Sequence, residues 1–167
     1  MIRYLVISAG VVLLDQFSKA LARSVLELHQ PYPVFPSLNF TLAYNKGAAF
    51  SLFANAGGWQ TAFFTFIALL AVIIIIHMLK SLNKDQLQQG LGLALILGGA
   101  VGNLIDRIAF SKVTDFIDVY YNNWHFATFN VADMAITIGA VLVILDAIGW
   151  FIPGMPKPSN CQKESSE

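Results

Sequence analysis

Trp59-Gln60-Thr61-Ala62-Phe63-Phe64-Thr65-Phe66-Ile67-Ala68-Leu69-Leu70-Ala71-Val72-Ile73-Ile74-Ile75-Ile76-His77-Met78-Leu79 decides the fold class of this chain. No acidic or basic residue precedes His77, and the run Val72-Ile73-Ile74-Ile75-Ile76 would be apolar on every side of a helix. Such a helix has no face for water, and about 20 such residues cross the hydrocarbon core of a bilayer. Residues 87–106 form a second stretch of this kind, uncharged until Asp106. Residues 131–152 form a third, interrupted by Asp133 and Asp146, and residues 4–22 a fourth, interrupted by Asp15 and Lys19. The expected fold is a membrane all-α protein with a small β element: a four-transmembrane-helix bundle spanning at about 4–22, 59–79, 87–106 and 131–152.

Composition agrees. Hydrophobic residues make up 56% of the chain and charged residues 12%, against about 25% charged in a soluble domain. Too little polar surface exists to face water on all sides, and the mean hydropathy is +0.63. Zero net charge without a basic cluster argues against nucleic acid as a partner. Cys161 is the only cysteine, so neither an intrachain disulfide nor a cysteine metal site can form. His29, His77 and His125 are scattered without ligand spacing. No metal and no cofactor is expected. No Gly-X-Ser-X-Gly elbow or phosphate-binding Walker loop occurs.

The first stretch admits two readings. Arg3, an apolar run to Leu14 and then Ala20-Leu21-Ala22 have the form of a cleavable secretory signal. A retained helix is the alternative, with Asp15 and Lys19 paired at i, i+4 along one face. Charge does not orient the bundle by itself. Arg3, Lys80, Lys84, Lys157 and Lys163 fall on the side of the termini, and Lys19, Arg23, Lys46, Arg107 and Lys112 on the other. The positive-inside rule returns a tie. Because the second group sits among Asp15, Asp106, Asp115 and Asp118, discounting it as part of a site puts both termini in the cytoplasm.

Ser81 to Gln86 is a tight polar turn, so the second and third helices are expected to be antiparallel neighbours. Two far-side segments, about 23–58 and 107–130, are longer. Pro31, Pro33 and Pro36 disfavour a continuous helix in the first, and Leu38 to Tyr44 alternates as a strand does. Val113 to Tyr121 and Trp124 to Phe129 are rich in β-branched and aromatic residues, with Asn122-Asn123 as a turn between them. A small sheet resting on the outer end of the bundle is expected. Residues 153–167 have the composition of a disordered tail. In the third span Ala94, Gly98 and Gly102 recur every four residues beside Gly99, which lets helices approach closely. That packing would draw Asn103, Asp106 and Arg107 inward.

The carboxylates are the costly feature, since a charge at a bilayer boundary loses hydration that lipid cannot replace. Asn130 precedes the fourth span and Asp133 follows three residues later, a spacing that also suits an N-cap and a favourable helix-dipole position. Both roles are compatible. Asp115 lies on the Val113–Asp118 strand and shares a face with Ile117, while Asp118 reads as the solvent-facing acid. A buried strand acid must be answered by solvent or by a partner such as Asp133. Asp15 with Lys19, and Asp106 with Arg107, read on their own as neutralised pairs. Tyr44 to Phe50 reads as a turn. Asp146 lies about 20 Å along the fourth helix from Asp133 at 1.5 Å per residue, which assigns it to packing or anchoring at the opposite interface.

Five segments in order resemble the lipoprotein signal peptidase (signal peptidase II) family of bacterial membrane aspartyl peptidases. They are Asp15-Gln16-Phe17-Ser18-Lys19, Asn45-Lys46-Gly47-Ala48-Ala49-Phe50, Gly98 to Arg107, Val113-Thr114-Asp115-Phe116 and Phe129-Asn130-Val131-Ala132-Asp133. One departure is Phe110-Ser111-Lys112, where a glycine often precedes the family's Val-X-Asp-Phe motif. The resemblance implies a retained first helix, cytoplasmic termini and one integral membrane peptidase domain over residues 1–152, acting as a monomer in the bacterial inner membrane. It implies a catalytic dyad of Asp115 and Asp133 near the periplasmic face, with Asp15, Asn45, Gly47, Asn103, Arg107 and Asn130 toward the substrate. The implied substrate is a prolipoprotein whose lipobox cysteine carries diacylglycerol, cut just before that cysteine beside membrane lipid.

Two carboxyls a few Å apart cannot both ionise cheaply, so such a pair holds one proton near neutrality. One member then activates water while the other protonates the scissile carbonyl. The β element could serve as a cradle whose edge pairs with unwound substrate backbone, and Phe40, Tyr44, Phe50, Tyr120, Tyr121 and Trp124 suit the headgroup level. A proton-coupled carrier using Asp15, Asp106 and Asp133 is the rival from another class, although four spans contain no inverted second half. A structural scaffold would leave the boundary carboxylates unexplained.

Overall fold

The computed structural model describes residues 1–47, 59–153 and 155. Ala48, Ala49 and Phe50 of the expected cradle turn, and the tail with Lys157, Cys161 and Lys163, lie outside the described residues. The elements in order are α1 (Ile2–Val25), β1 (Pro31–Phe35), β2 (Leu38–Asn45), α2 (Trp59–Ser81), α3 (Leu87–Phe110), β3 (Val113–Tyr121), β4 (Trp124–His125) and α4 (Val131–Ala147).

Helix α3 is the centre of the helical layer, packed against α1, α2 and α4. Its small residues make this possible. Gly98 faces the Ser8 carbonyl and Val11 of α1, Gly99 faces the Ala132 carbonyl and Ile136 of α4, and Gly92 meets Gly139 backbone to backbone. A side chain at any of these positions would push a helix away. At the end where α1 begins, Tyr4, Ile75, Leu79, Leu93, Ala94 and Leu97 form the buried core. The outer faces carry exposed Leu13, Phe17, Phe66, Ile73, Ile138 and Ile144, an apolar surface suited to lipid. Helices α1, α2 and α3 are long and apolar enough to cross a membrane.

Helix α4 differs from its expected extent of 131–152, because it ends at Ala147 after 17 residues. Gly149 takes φ +75° and donates its N–H to the Asp146 carbonyl, while the Trp150 N–H reaches back to the Leu145 carbonyl. This double closure is a Schellman stop, and only a residue comfortable at positive φ completes it without strain. The hydropathy of residues 148–152 hid that signal.

The sheet is antiparallel with strand order β1-β2-β3-β4. Strand β4 covers only the first two residues of the stretch 124–129. The rest turns back, and Phe129 exchanges backbone hydrogen bonds with Ile117 at 2.9 and 3.0 Å. That contact ties the entry of α4 to β3. A β-bulge on β2 between Phe40 and Ala43 shifts the β2–β3 register by one residue. Asn39 therefore lies opposite Asp118, whereas Ala43 lies opposite Asp115 on the other face of β3.

Candidate active site

Asn130 is the N-cap of α4. Its Oδ1 accepts the Asp133 N–H at 3.0 Å, and Asp133 Oδ2 accepts the Asn130 N–H at 3.3 Å, a reciprocal capping box. The cap leaves the side-chain amide group free to act elsewhere. Asn130 Nδ2 donates to Asp115 Oδ1 at 2.6 Å, with the Asn103 Oδ1 and the Thr114 carbonyl at 3.2 and 3.3 Å. One fully buried asparagine thus holds the start of a helix and a carboxyl on the neighbouring strand. Capping and site roles coexist in the same side chain.

Asp115 is buried on β3. The bulge puts Asn45 on the Asp115 face, two residues beyond Ala43. With an unbroken register Asn45 would point to the opposite face. Its Oδ1 accepts the Gly47 N–H at 2.7 Å, and its side chain also hydrogen-bonds to Asp115. Gly47 has φ +95°, and a Cβ there would run into the Phe64 ring, so the turn requires glycine. Burial, then the nearby charge of Asp133, push the Asp115 carboxyl up to about 7, against weaker opposing effects of Asn130, Asn45 and Lys19.

Asp133 is half-buried and accepts a hydrogen bond from Asn103 Nδ2 at 2.8 Å. Beneath both aspartates lies a closed ionic cluster. Lys19 Nζ sits 2.8 Å from Asp15 Oδ2, 2.9 Å from Asn103 Oδ1 and 3.7 Å from Asp106 Oδ2. Asp15 Oδ1 accepts the Ala132 N–H at 2.9 Å, and Asp106 Oδ2 accepts the Thr114 N–H at 2.8 Å. Arg23 reaches Thr114 Oγ1 at 2.9 Å and Asp106 Oδ1 at 3.8 Å. Gln16 Nε2 bridges Asp15 and Asp106. Arg107 lies over the Phe64 ring, and its charge interacts most with Asp133, then with Asp115 and Asp106. A cavity of about 550 Å³ opens beside Asp133, lined by Phe126, Phe129, Met134, Thr137 and Ile138 among others. Among the described residues, no group of three or more His, Cys, Asp or Glu side chains is placed to hold a metal ion.

A family model described as signal peptidase (SPase) II matches residues 7–149. The chain belongs to the signal peptidase II family. It is therefore a protease of a membrane family. The lipoprotein signal peptidase of Coxiella burnetii (strain Dugway 5J108-111) is 50% identical over 142 residues, covering 85% of this chain and 87% of that protein. The lipoprotein signal peptidase of Hydrogenovibrio crunogenus is 44% identical over 155 residues, covering 93% of this chain and 90% of its own. A solved structure described as a bacterial membrane enzyme, determined by the in meso method at 2.3 Å resolution, superposes with a TM-score of 0.78 at 30% identity. It covers 89% of this chain and 88% of that one.

Within this signal peptidase II chain, Asp115, Asp133, Asn45, Asn103 and Asn130 come together in one hydrogen-bonded group. Asp15 and Gly47 stand one step back, Asp15 through the Ala132 amide and Gly47 as the turn that aims Asn45. Asp118 corrects the expectation of a solvent-facing acid. It is 4% exposed and accepts from Asn39 and Thr41, with His125 Nδ1 at 3.0 Å. Period-two alternation assigns the two acids to opposite faces, and here both faces are covered. Lys19, Asp106 and Thr114 complete the site; the sequence grouped Lys19 with the site charges and drew Asp106 inward, but did not assign their partners. The i, i+4 spacing of Asp15 and Lys19 was the available signal, but it shows a pair and not the pair's destination.

Proposed function

We propose that this chain is an aspartyl endopeptidase that removes signal peptides from diacylglyceryl-modified prolipoproteins, cleaving on the N-terminal side of the lipidated cysteine. The observation that carries the reading is the amide of Asn130, which holds Asp115 while capping the turn that contains Asp133. Two coupled carboxyls, one pushed up to about 7, share a proton near neutrality. Asp133, at the positive end of α4 with Asn103 donating to it, takes the part of the base in this reading, and Asp115 that of the acid. Water attacks the scissile carbonyl carbon as Asp133 takes its proton and Asp115 protonates the carbonyl oxygen. The gem-diol then returns a hydroxyl proton to Asp115, Asp133 protonates the amide nitrogen, and the C–N bond breaks. Both carboxyls end as they began.

The cavity beside Asp133 is apolar apart from the carboxylate and threonines, which suits a lipid-bearing peptide entering sideways from the bilayer. Asn45 at the end of β2 and Gly47 in the turn beyond it would steady the unwound backbone, and Arg107 would hold a peptide carbonyl or the ester linkage. All four helices are assigned to the bacterial inner membrane, with both termini cytoplasmic and the dyad near the outer face. The test replaces Asp115 and Asp133 separately with Asn and follows processing of a diacylglyceryl-modified precursor. Each variant is expected to insert normally and to lose cleavage. Full processing by either one would sink the dyad.

A further inference from the structure

Lys19 takes no step in the reaction proposed above, yet it is wholly enclosed. An ammonium has three donors, and this one faces three oxygens, on Asp15, Asn103 and Asp106. Each leads to a different support of the dyad. Asn103 donates directly to Asp133. Asp15 holds the amide of Ala132, one residue before Asp133. Asp106 holds the amide of Thr114, one residue before Asp115. We propose that Lys19 is a positioning residue that holds both aspartates in mutual register, reaching Asp133 through Asn103 and Asp15, and Asp115 through Asp106. The proposal rests on the dyad reading.

The reason lies in the amide of Asn103. An asparagine side chain can present either its oxygen or its NH2 to a neighbour, and only its partners decide. Lys19 can only donate, so at 2.9 Å, closer than Asn130 Nδ2 at 3.2 Å, it holds the Asn103 oxygen and with Asn130 leaves the NH2 for Asp133. The reverse orientation would set a carbonyl oxygen against the Asp133 carboxylate. Charge balance points the same way. The groups facing the cluster are Asp15, Lys19 and Arg23 from α1, Asp106 and Arg107 from α3, Asp115 on β3 and Asp133 on α4. With one proton on the dyad, the cations Lys19, Arg23 and Arg107 balance Asp15, Asp106 and one dyad carboxylate. The simpler alternative is that Lys19 only neutralises Asp15.

Asp15→Asn removes the charge that this alternative requires Lys19 to cancel, and its oxygen can still accept from Ala132. The experiment compares purified Asp15→Asn, Asp15→Asn/Lys19→Met and Asp15→Asn/Lys19→Gln on a diacylglyceryl-modified peptide. The methionine variant is expected to unfold at the same temperature as Asp15→Asn. Its kcat should be lower by about 10–100-fold, as small misplacements of reacting groups allow, with KM within about twofold. Glutamine restores a neutral donor to Asn103 and should recover most of kcat. A methionine variant within about twofold of the kcat of Asp15→Asn would overturn the proposal. Should that variant fail to fold, Asp15→Asn/Lys19→Leu takes its place. A kcat lower than that of Asp15→Asn by about 10-fold or more supports positioning, and one within about twofold overturns it. Asp115→Asn and Asp133→Asn are assayed alongside. If both are inactive while the methionine variant is not impaired, only the role of Lys19 falls. If either one cleaves, the dyad reading falls first.

Discussion

Asp115 shows how much of the chemistry is set around a single carboxyl. Burial and the Asp133 charge raise it, while Asn45, Asn130 and Lys19 oppose them. Below about pH 7 it keeps its proton, as the proposed mechanism requires of the acid; above that it ionises, and like charges would then face each other across the site. The kcat/KM profile is therefore expected to fall on its alkaline side near pH 7. Asn45→Ala removes a donor that favours the ionised form, so the alkaline limb should move to higher pH. A pH–rate series on the purified enzyme with a lipidated peptide measures both, and an unmoved or lowered limb would contradict the role of Asn45.

At the scale of elements, the site depends on how closely α1, α3 and α4 approach one another. Gly102 is a tight place beside the chemistry, because a Cβ there would lie 2.6 Å from Asp15 Oδ2. That oxygen is already held by Lys19 at 2.8 Å, and the other carboxylate oxygen by the Ala132 amide, so it has nowhere to swing. Gly102→Ala is expected to destabilise the fold by about 1–3 kcal/mol, the usual cost of overpacking. Gly10 is the control, since it lies on α1 with open space where a Cβ would stand. Gly10→Ala should leave stability unchanged or raise it by about 0.5–1 kcal/mol. Thermal unfolding in detergent compares the two, and equal effects would refute the packing account. The bulge on β2 is the other decisive element, since one extra residue lets odd-numbered positions serve Asp118 early in the strand and Asp115 later.

At the scale of the whole molecule, orientation in the bilayer is the property that links site to substrate. Cys161 is the chain's only cysteine and lies in the C-terminal tail of the sequence, which makes it a native reporter of sidedness. With cytoplasmic termini, a membrane-impermeant maleimide is expected to leave it unlabelled in intact spheroplasts and to label it after permeabilisation. Labelling of intact spheroplasts would reverse the proposed orientation and move the dyad to the other face.

The apolar stretches around Trp59–Leu79, the strand Val113–Tyr121, the turn at Asn122 and the cap Asn130-X-X-Asp133 were legible in the sequence, because each is written in local hydropathy, side-chain period or spacing. The stop of α4 was legible too, at Gly149, but apolar residues beyond it masked the signal. The burial of Asp118, the face of Asn45 and the destination of Lys19 were not legible. Each depends on a partner far along the chain: Asn39 and Thr41 for Asp118, a register shift against β3 for Asn45, and Asn103 with Asp106 for Lys19. Local sequence determined which segments are helix or strand and which carboxyls are costly. The five motifs implied, by resemblance, which carboxyls belong to one site; tertiary structure alone decided how those charges are paired, because a charge in a low-dielectric interior takes its meaning from the neighbours that packing brings to it.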